Sequence, residues 1–194
     1  MPTIIETSGG ATSNSYETLA EANTYFDERL PLPTPWVASG DTSIRALLMS
    51  TRVLDSMAFP HRTLRRNSNG TQYYYTSRRW TGSPTTTIQR LAWPRIGMYD
   101  ANGNAIPSNV IPRALKDAES ELAGQLIMSD STLDNAASVQ GIKSVSAGSV
   151  SVTFKDDIEA HVLPDAVMNL MPPSWFTDEQ IEPAMPALFD VISS

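Results

Sequence analysis

The sequence predicts a mainly α, α+β fold: a small helical bundle with two β-hairpin insertions and an extended C-terminal arm. Three observations predict it. Apolar residues recur at helical spacing in three separate stretches. Two other stretches, rich in Thr, Tyr and Val, alternate around short turns. The final 22 residues, 173–194, are apolar but are broken by Pro173, Pro183 and Pro186. At 194 residues the chain is one domain with arms, long enough to bury a core without staples. The expected division is an N-terminal arm over 1–14, a helical domain over 15–171 and a C-terminal arm over 172–194. Residues 59–79 and 139–155 are the two hairpin insertions.

Residues 1–14 are rich in Thr, Ser and Gly and read as an arm or loop. Ser15 is the expected N-cap of the first helix. Thr18, Leu19, Ala22, Phe26 and Leu30 follow as its stripe, and Pro31, Pro33 and Pro35 end it. Trp36 is a candidate core plug. The second helix is capped by Asp41 or Thr42. Its stripe is Ile44, Leu47, Leu48, Thr51, Leu54 and Ala58, and Pro60 stops it. Asn69-Gly70 between an Arg-rich run and a Tyr-rich run predicts a protruding hairpin over 61–77. Asp100 to Gly103 is a turn. The third helix starts near Pro112, a residue suited to a first turn. Ile111, Leu115, Ala118, Leu122 and Leu126 form its apolar side, with Asp117, Glu119 and Glu121 on the wet side. Residues 129–141 read as a polar linker. Residues 142–146 and 149–154 predict the second hairpin, with Val150, Val152 and Phe154 on one face. A short helix over Leu163 to Met171 precedes Pro172-Pro173.

The chain has no cysteine, which excludes disulfides and thiolate metal sites. The start, Met1 to Glu6, lacks the pattern of a signal peptide. No run approaches the roughly 20 apolar residues of a membrane helix. A soluble protein made in a cytosol is therefore expected, with no membrane partner. No catalytic, metal or cofactor residues are expected. Asp156, Asp157, Glu159 and His161 form the one cluster of metal-ligand type, and no second His or Cys group completes it. Gly9-Gly10 lacks the spacing and lysine of a phosphate loop.

Charge is the sharpest feature. The chain has 14 basic and 21 acidic residues and a net charge of −7. Between Ser56 and Tyr99 stand seven arginines and no carboxylate: Arg62, Arg65, Arg66, Arg78, Arg79, Arg90 and Arg95. Phe59, Tyr73, Tyr74, Tyr75, Trp80, Trp93 and Tyr99 lie in the same segment. Arginine among tyrosines suits nucleic acid, through phosphate contact and base stacking. It also suits carboxylates of a neighbouring copy. The bland reading is a solvated hairpin on which alternating tyrosines cover the sheet.

Residues 89–126 carry a composite pattern. It runs Gln89, Leu91, Trp93-Pro94-Arg95, Gly97, Asp100, Asn102-Gly103, Ile106, Ile111-Pro112, Ala118 and Glu121-Leu122-Ala123. Tyr16, Ala20 to Ala22, Tyr25-Phe26, Trp36, Ala46 to Leu48, Thr51 and Leu54-Asp55 precede it, and Gly141 to Ser144 and Gly148 to Val152 follow. Over most of 15–171 this resembles the head–tail connector (adaptor, or head-completion) proteins of tailed bacteriophages. The resemblance is strongest to the branch labelled DnaT-like single-stranded-DNA-binding protein. It implies a non-enzymatic virion protein, assembled in the host cytoplasm into a ring of about twelve copies at the head–tail junction. Its partners would be itself, the portal protein, tail or tail-completion proteins and the phage double-stranded DNA in the channel. The alternative it implies is a single-stranded-DNA-binding protein of phage replication.

Within that resemblance Gln89, Leu91, Trp93, Pro94 and Arg95 are scaffold, with Trp93 between the second and third helices. Arg95 is free to pair with an acid such as Glu121 or with a neighbour. Residues 59–79 interrupt the pattern and read as an insertion. Its arginines Arg62, Arg65 and Arg66, with Arg78 and Arg79, are expected at the DNA channel or against a neighbouring subunit. Trp175, Phe176, Ile181, Leu188 and Phe189 are expected to dock the C-terminal arm on the portal or an adjacent protomer.

Overall fold

A computed structural model describes residues 2–31, 33, 36–58, 62–66, 71–128, 144–147, 150–153, 163–178 and 180–183. Four α-helices are described: α1 (Leu19–Asp27), α2 (Asp41–Ser56), α3 (Arg113–Met128) and the short α4 (Asp165–Met168). A 3-10 turn spans Pro173–Trp175. The strands are β1 (Arg62–Arg66), β2 (Gln72–Thr76), β3 (Ser83–Pro84), β4 (Arg95–Ile96), β5 (Ser144–Ala147), β6 (Val150–Thr153) and β7 (Gln180–Pro183). The mixed, mostly helical class expected from sequence is the class observed. The predicted linker over 129–141 lies outside the described residues.

The helices form because their apolar stripes converge. Leu47 and Leu54 of α2 are fully buried, as are Leu115, Ala118 and Leu122 of α3. Leu54 joins the larger core with Trp80, Trp93, Leu115, Leu122, Leu163 and Trp175. Leu47 joins a smaller one with Ala22, Phe26, Trp36 and Ala123. Trp36 is thus a core residue, and its Nε1 donates to Asn23 Oδ1 at 3.0 Å. Gly124 lets α1 approach α3, because a Cβ there would stand 3.0 Å from the Phe26 ring.

Four local expectations are corrected. The cap of α1 is Thr18, not Ser15, and it forms a reciprocal capping box with Glu21. Leu30 lies beyond the helix and is exposed, so the stripe ends at Phe26. The N-cap of α2 is Gly40, so Asp41 is already helical. The wet side of α3 fails most informatively: Glu119 is fully buried and Glu121 nearly so. The helix is covered on a second side by the segment that leads into α1. There Ser15 Oγ and the Tyr16 amide donate to the Glu119 carboxylate at 2.8 and 3.0 Å. Thr51 of α2 donates to it as well.

Glu17 is buried beside Glu119 and accepts from Ser120 Oγ at 2.6 Å. Burial and the neighbouring Glu119 push the Glu17 carboxyl up to about 9. Burial pushes Glu119 up to about 7, against the hydrogen bonds it accepts from Thr51, Ser15 and Tyr16. Lys116, the nearby cation, is engaged by Glu21 at 2.6 Å. Glu121 has a different partner: Arg29 forks onto it at 2.6 and 2.8 Å.

Between β2 and α3, β3 pairs with β4, and a glycine stands where the two strands meet. Gly82 has a φ of +64°, and a Cβ on it would fall 2.3 Å from the Ile96 carbonyl oxygen. A Gly82→Ala variant should therefore lose roughly 2–4 kcal/mol, from left-handed strain plus the clash. Urea unfolding checks this. Gly103→Ala is the control, because its φ is also positive but no atom lies within 4 Å of its Cβ position.

Candidate nucleic-acid interface

The two strands of the Arg/Tyr hairpin form as expected, with β1 antiparallel to β2 and Leu64 opposite Tyr74, while the Asn69-Gly70 turn lies outside the described residues. The strand pair does not protrude alone. β7 pairs with the other edge of β2, placing Glu182 opposite Tyr74 and Ile181 opposite Tyr75. The result is a three-stranded sheet in the order β1-β2-β7. Residues directly opposite each other share a face, and the face alternates along each strand. Tyr75 is buried, so its face is the inner one. Leu64 is 53% exposed, so the row Leu64–Tyr74–Glu182 lies on the outer face.

Arg62 stands two residues from Leu64 on the same face. Its guanidinium carbon sits 4.0 Å above the centre of the Tyr74 ring. Its Nη2 reaches across β2 to Glu182 Oε2 at 2.7 Å. Arg65 and Arg66 lie in β1 opposite Tyr73 and Gln72. Arg78 and Arg79 follow β2 and are exposed. The Arg79 backbone is anchored: its amide donates to Thr177 Oγ1 at 3.2 Å, and its carbonyl accepts from the Thr177 amide at 2.9 Å. Among the described residues Arg79 and Arg90 form no ion pair. Cations thus lead from the sheet face onto a fixed loop, beside an aromatic ring and an exposed leucine. This composition can hold a phosphate backbone and stack a base.

The other candidate residues are placed elsewhere. Trp93 is buried with its ring centre 4.8 Å from that of Trp175 and 5.7 Å from that of Trp80. Leu91 and Pro94 are buried with it. The Gln89 side chain donates to the Leu91 and Pro94 carbonyls at 2.8 and 3.1 Å. Arg95 does not pair with Glu121. It is buried, and it donates to the carbonyls of Thr81, Ala92 and Gly82 at 2.7, 3.0 and 2.9 Å. Burial lowers the pKa of its guanidinium. Arg95 is thus removed from the surface charge and acts as a three-pronged backbone clamp. Loops rich in unpaired carbonyls recruit such a fork.

Trp175 and Phe176 dock on this chain's own core, not on a partner. Trp175 Nε1 donates to the Tyr99 carbonyl at 2.7 Å, and the Phe176 ring stacks on Trp80 at 4.7 Å. The reason is proximity: Phe176 bridges the Trp80 backbone, which lays this segment over the tryptophan cluster. Ile181 belongs to β7, while Leu188 and Phe189 lie outside the described residues. The strand itself was missed in sequence. Its signal is faint: Gln180, Ile181 and Glu182 alternate, and Pro183 closes them. The Asp156 to His161 cluster also lies outside the described residues, and no metal-binding group of three occurs among those described. No described helix is long and apolar enough to cross a membrane.

Comparison with known proteins adds one decisive finding. The family described as "Putative DnaT-like ssDNA binding protein" matches residues 1–181. No curated protein and no solved structure matches. The match overturns the head–tail connector expectation and leaves the ring, portal and tail partners it brought without support. The physical reason is visible in the residues that carried the resemblance. Gln89, Trp93, Pro94 and Arg95 are all buried or bonded to backbone, so they specify a scaffold and carry no information about a task or a partner. With the match covering nearly the whole chain, the protein belongs to the DnaT-like single-stranded-DNA-binding family.

Proposed function

We propose that this chain binds single-stranded DNA through the outer face of the β1-β2-β7 sheet and the adjoining Arg78–Arg79 loop, as a binding module and not an enzyme. The observation that carries this reading is the row Leu64–Tyr74–Glu182 with Arg62 laid across Tyr74. It places a cation and an aromatic ring side by side on an otherwise acidic protein. The family description supports the same reading. Phosphate contact supplies affinity without sequence preference, and ring stacking needs a base whose face is open, which a duplex withholds.

The test is anisotropy of a labelled oligothymidine, titrated at several salt concentrations. Arg79→Glu should weaken binding about tenfold and flatten the salt dependence by about 0.7 in log–log slope, as one lost phosphate contact on a single strand requires. Tyr74→Leu should cost roughly 1–3 kcal/mol with little change in slope. Binding that prefers duplex, or that ignores both substitutions, would sink the reading.

A further inference from the structure

Arg62 already has an anion. Glu182, on the far side of β2, holds its guanidinium at 2.7 Å while the same group lies 4.0 Å over Tyr74. The two side chains are 55% and 53% exposed, so the pair is open to exchange with an incoming anion. The register makes the arrangement specific. Tyr74 stands directly between Leu64 and Glu182, and Arg62 approaches it on the diagonal. The carboxylate thus fixes the position of the cation, and the cation covers the ring.

We propose that Glu182 is an internal phosphate mimic that holds Arg62 across Tyr74 and so sets both the affinity and the strand selectivity of this face. This rests on the sheet being the single-strand interface. A backbone phosphate that takes the Arg62 guanidinium from Glu182 also uncovers the Tyr74 ring. The base attached to that phosphate can then stack on the ring. One displacement therefore opens contacts for one whole nucleotide, phosphate and base together. A duplex can satisfy the first contact but not the second, because its bases are already stacked on one another. An inorganic phosphate likewise satisfies only the first.

The experiment compares the wild-type chain with Glu182→Gln, using a labelled oligothymidine and a duplex of equal length. Glu182→Gln should bind the single strand about three- to fivefold more tightly, the factor an exposed ion pair of this kind can withhold. The gain on duplex should be smaller. Adding Arg62→Gln should abolish the gain. Asp178→Asn removes the same charge from a nearby exposed position and should leave affinity nearly unchanged. If wild type and Glu182→Gln bind equally well, the mimic is overturned and the interface stands. An equal gain from Asp178→Asn, or a gain that survives loss of Arg62, also overturns it, because net charge is then the cause. If neither protein binds the oligonucleotide, the interface and the mimic both fall. Binding by Glu182→Gln alone supports the mimic in its strongest form.

Discussion

Stability will fall as the pH rises from about 5 to 9, and a Glu17→Gln variant will lose far less of it. The folded carboxyls of Glu17 and Glu119 titrate near 9 and 7, whereas a solvated glutamate titrates near 4.5. Between the unfolded and folded values the folded state holds protons that the unfolded state has released. Unfolding is then favoured as protons become scarce, so the slope of stability against pH is negative. Both groups contribute from about 4.5 to 7, and Glu17 alone from about 7 to 9. The slope should be on the order of 1 kcal/mol per pH unit while one group titrates.

Several charges face the pair. Glu21 and Lys116 pair with each other at its edge, and Asp55 accepts from Tyr16 Oη at 2.7 Å. Burial and the neighbouring Asp55 also raise the Tyr16 phenol above its ordinary value, so measurements should stop short of pH 10. Glutamine at position 17 can still accept from Ser120 and carries no charge. It should flatten the upper half of the window and raise the urea midpoint at pH 8.5. Equal slopes for the two proteins between pH 7 and 9 would refute the assignment.

Replacing Trp175 with alanine should cost about 3–5 kcal/mol, a large share of the 5–15 kcal/mol typical of a whole domain. The indole is buried against Trp93, and its N–H is satisfied by the Tyr99 carbonyl. Truncation opens a cavity and strands that carbonyl. Leu170→Ala, at an exposed position three residues upstream of Pro173, should stay within about 0.5 kcal/mol. Thermal melts of the isolated protein decide the matter. If Trp175→Ala melts with the wild type, the residue is not part of the chain's own core.

The helices were legible because burial writes a periodic pattern. Leu47 and Leu54, and Leu115, Ala118 and Leu122, all stand where the spacing places them. The strand pairs β1–β2 and β5–β6 were legible because runs of β-branched and aromatic residues mark them locally. Three things escaped. Glu119 read as solvent-facing because a glutamate on a helix usually is, and nothing nearby in sequence announces the Ser15 and Tyr16 donors that receive it. β7 escaped because four residues are too few to show a period, and its partner lies over a hundred residues away. Arg95 and Arg79 are indistinguishable as letters. Only the three carbonyls around Arg95 separate a buried clamp from an exposed side chain. The functional assignment failed for a related reason: buried residues such as Trp93 and Arg95 report how the chain folds, not what its surface does.

The tryptophan cluster also has a consequence for the order in which the protein can be made. Trp80 and Trp93 are covered by Trp175 and Phe176, which leave the ribosome much later. At ordinary elongation rates the delay is on the order of ten seconds. Throughout that interval the two indoles lack the partners that complete their burial in the fold. The nascent chain is therefore sticky midway through synthesis. A stalled or truncated product ending before residue 175 would be a natural client for chaperones and a seed for aggregation.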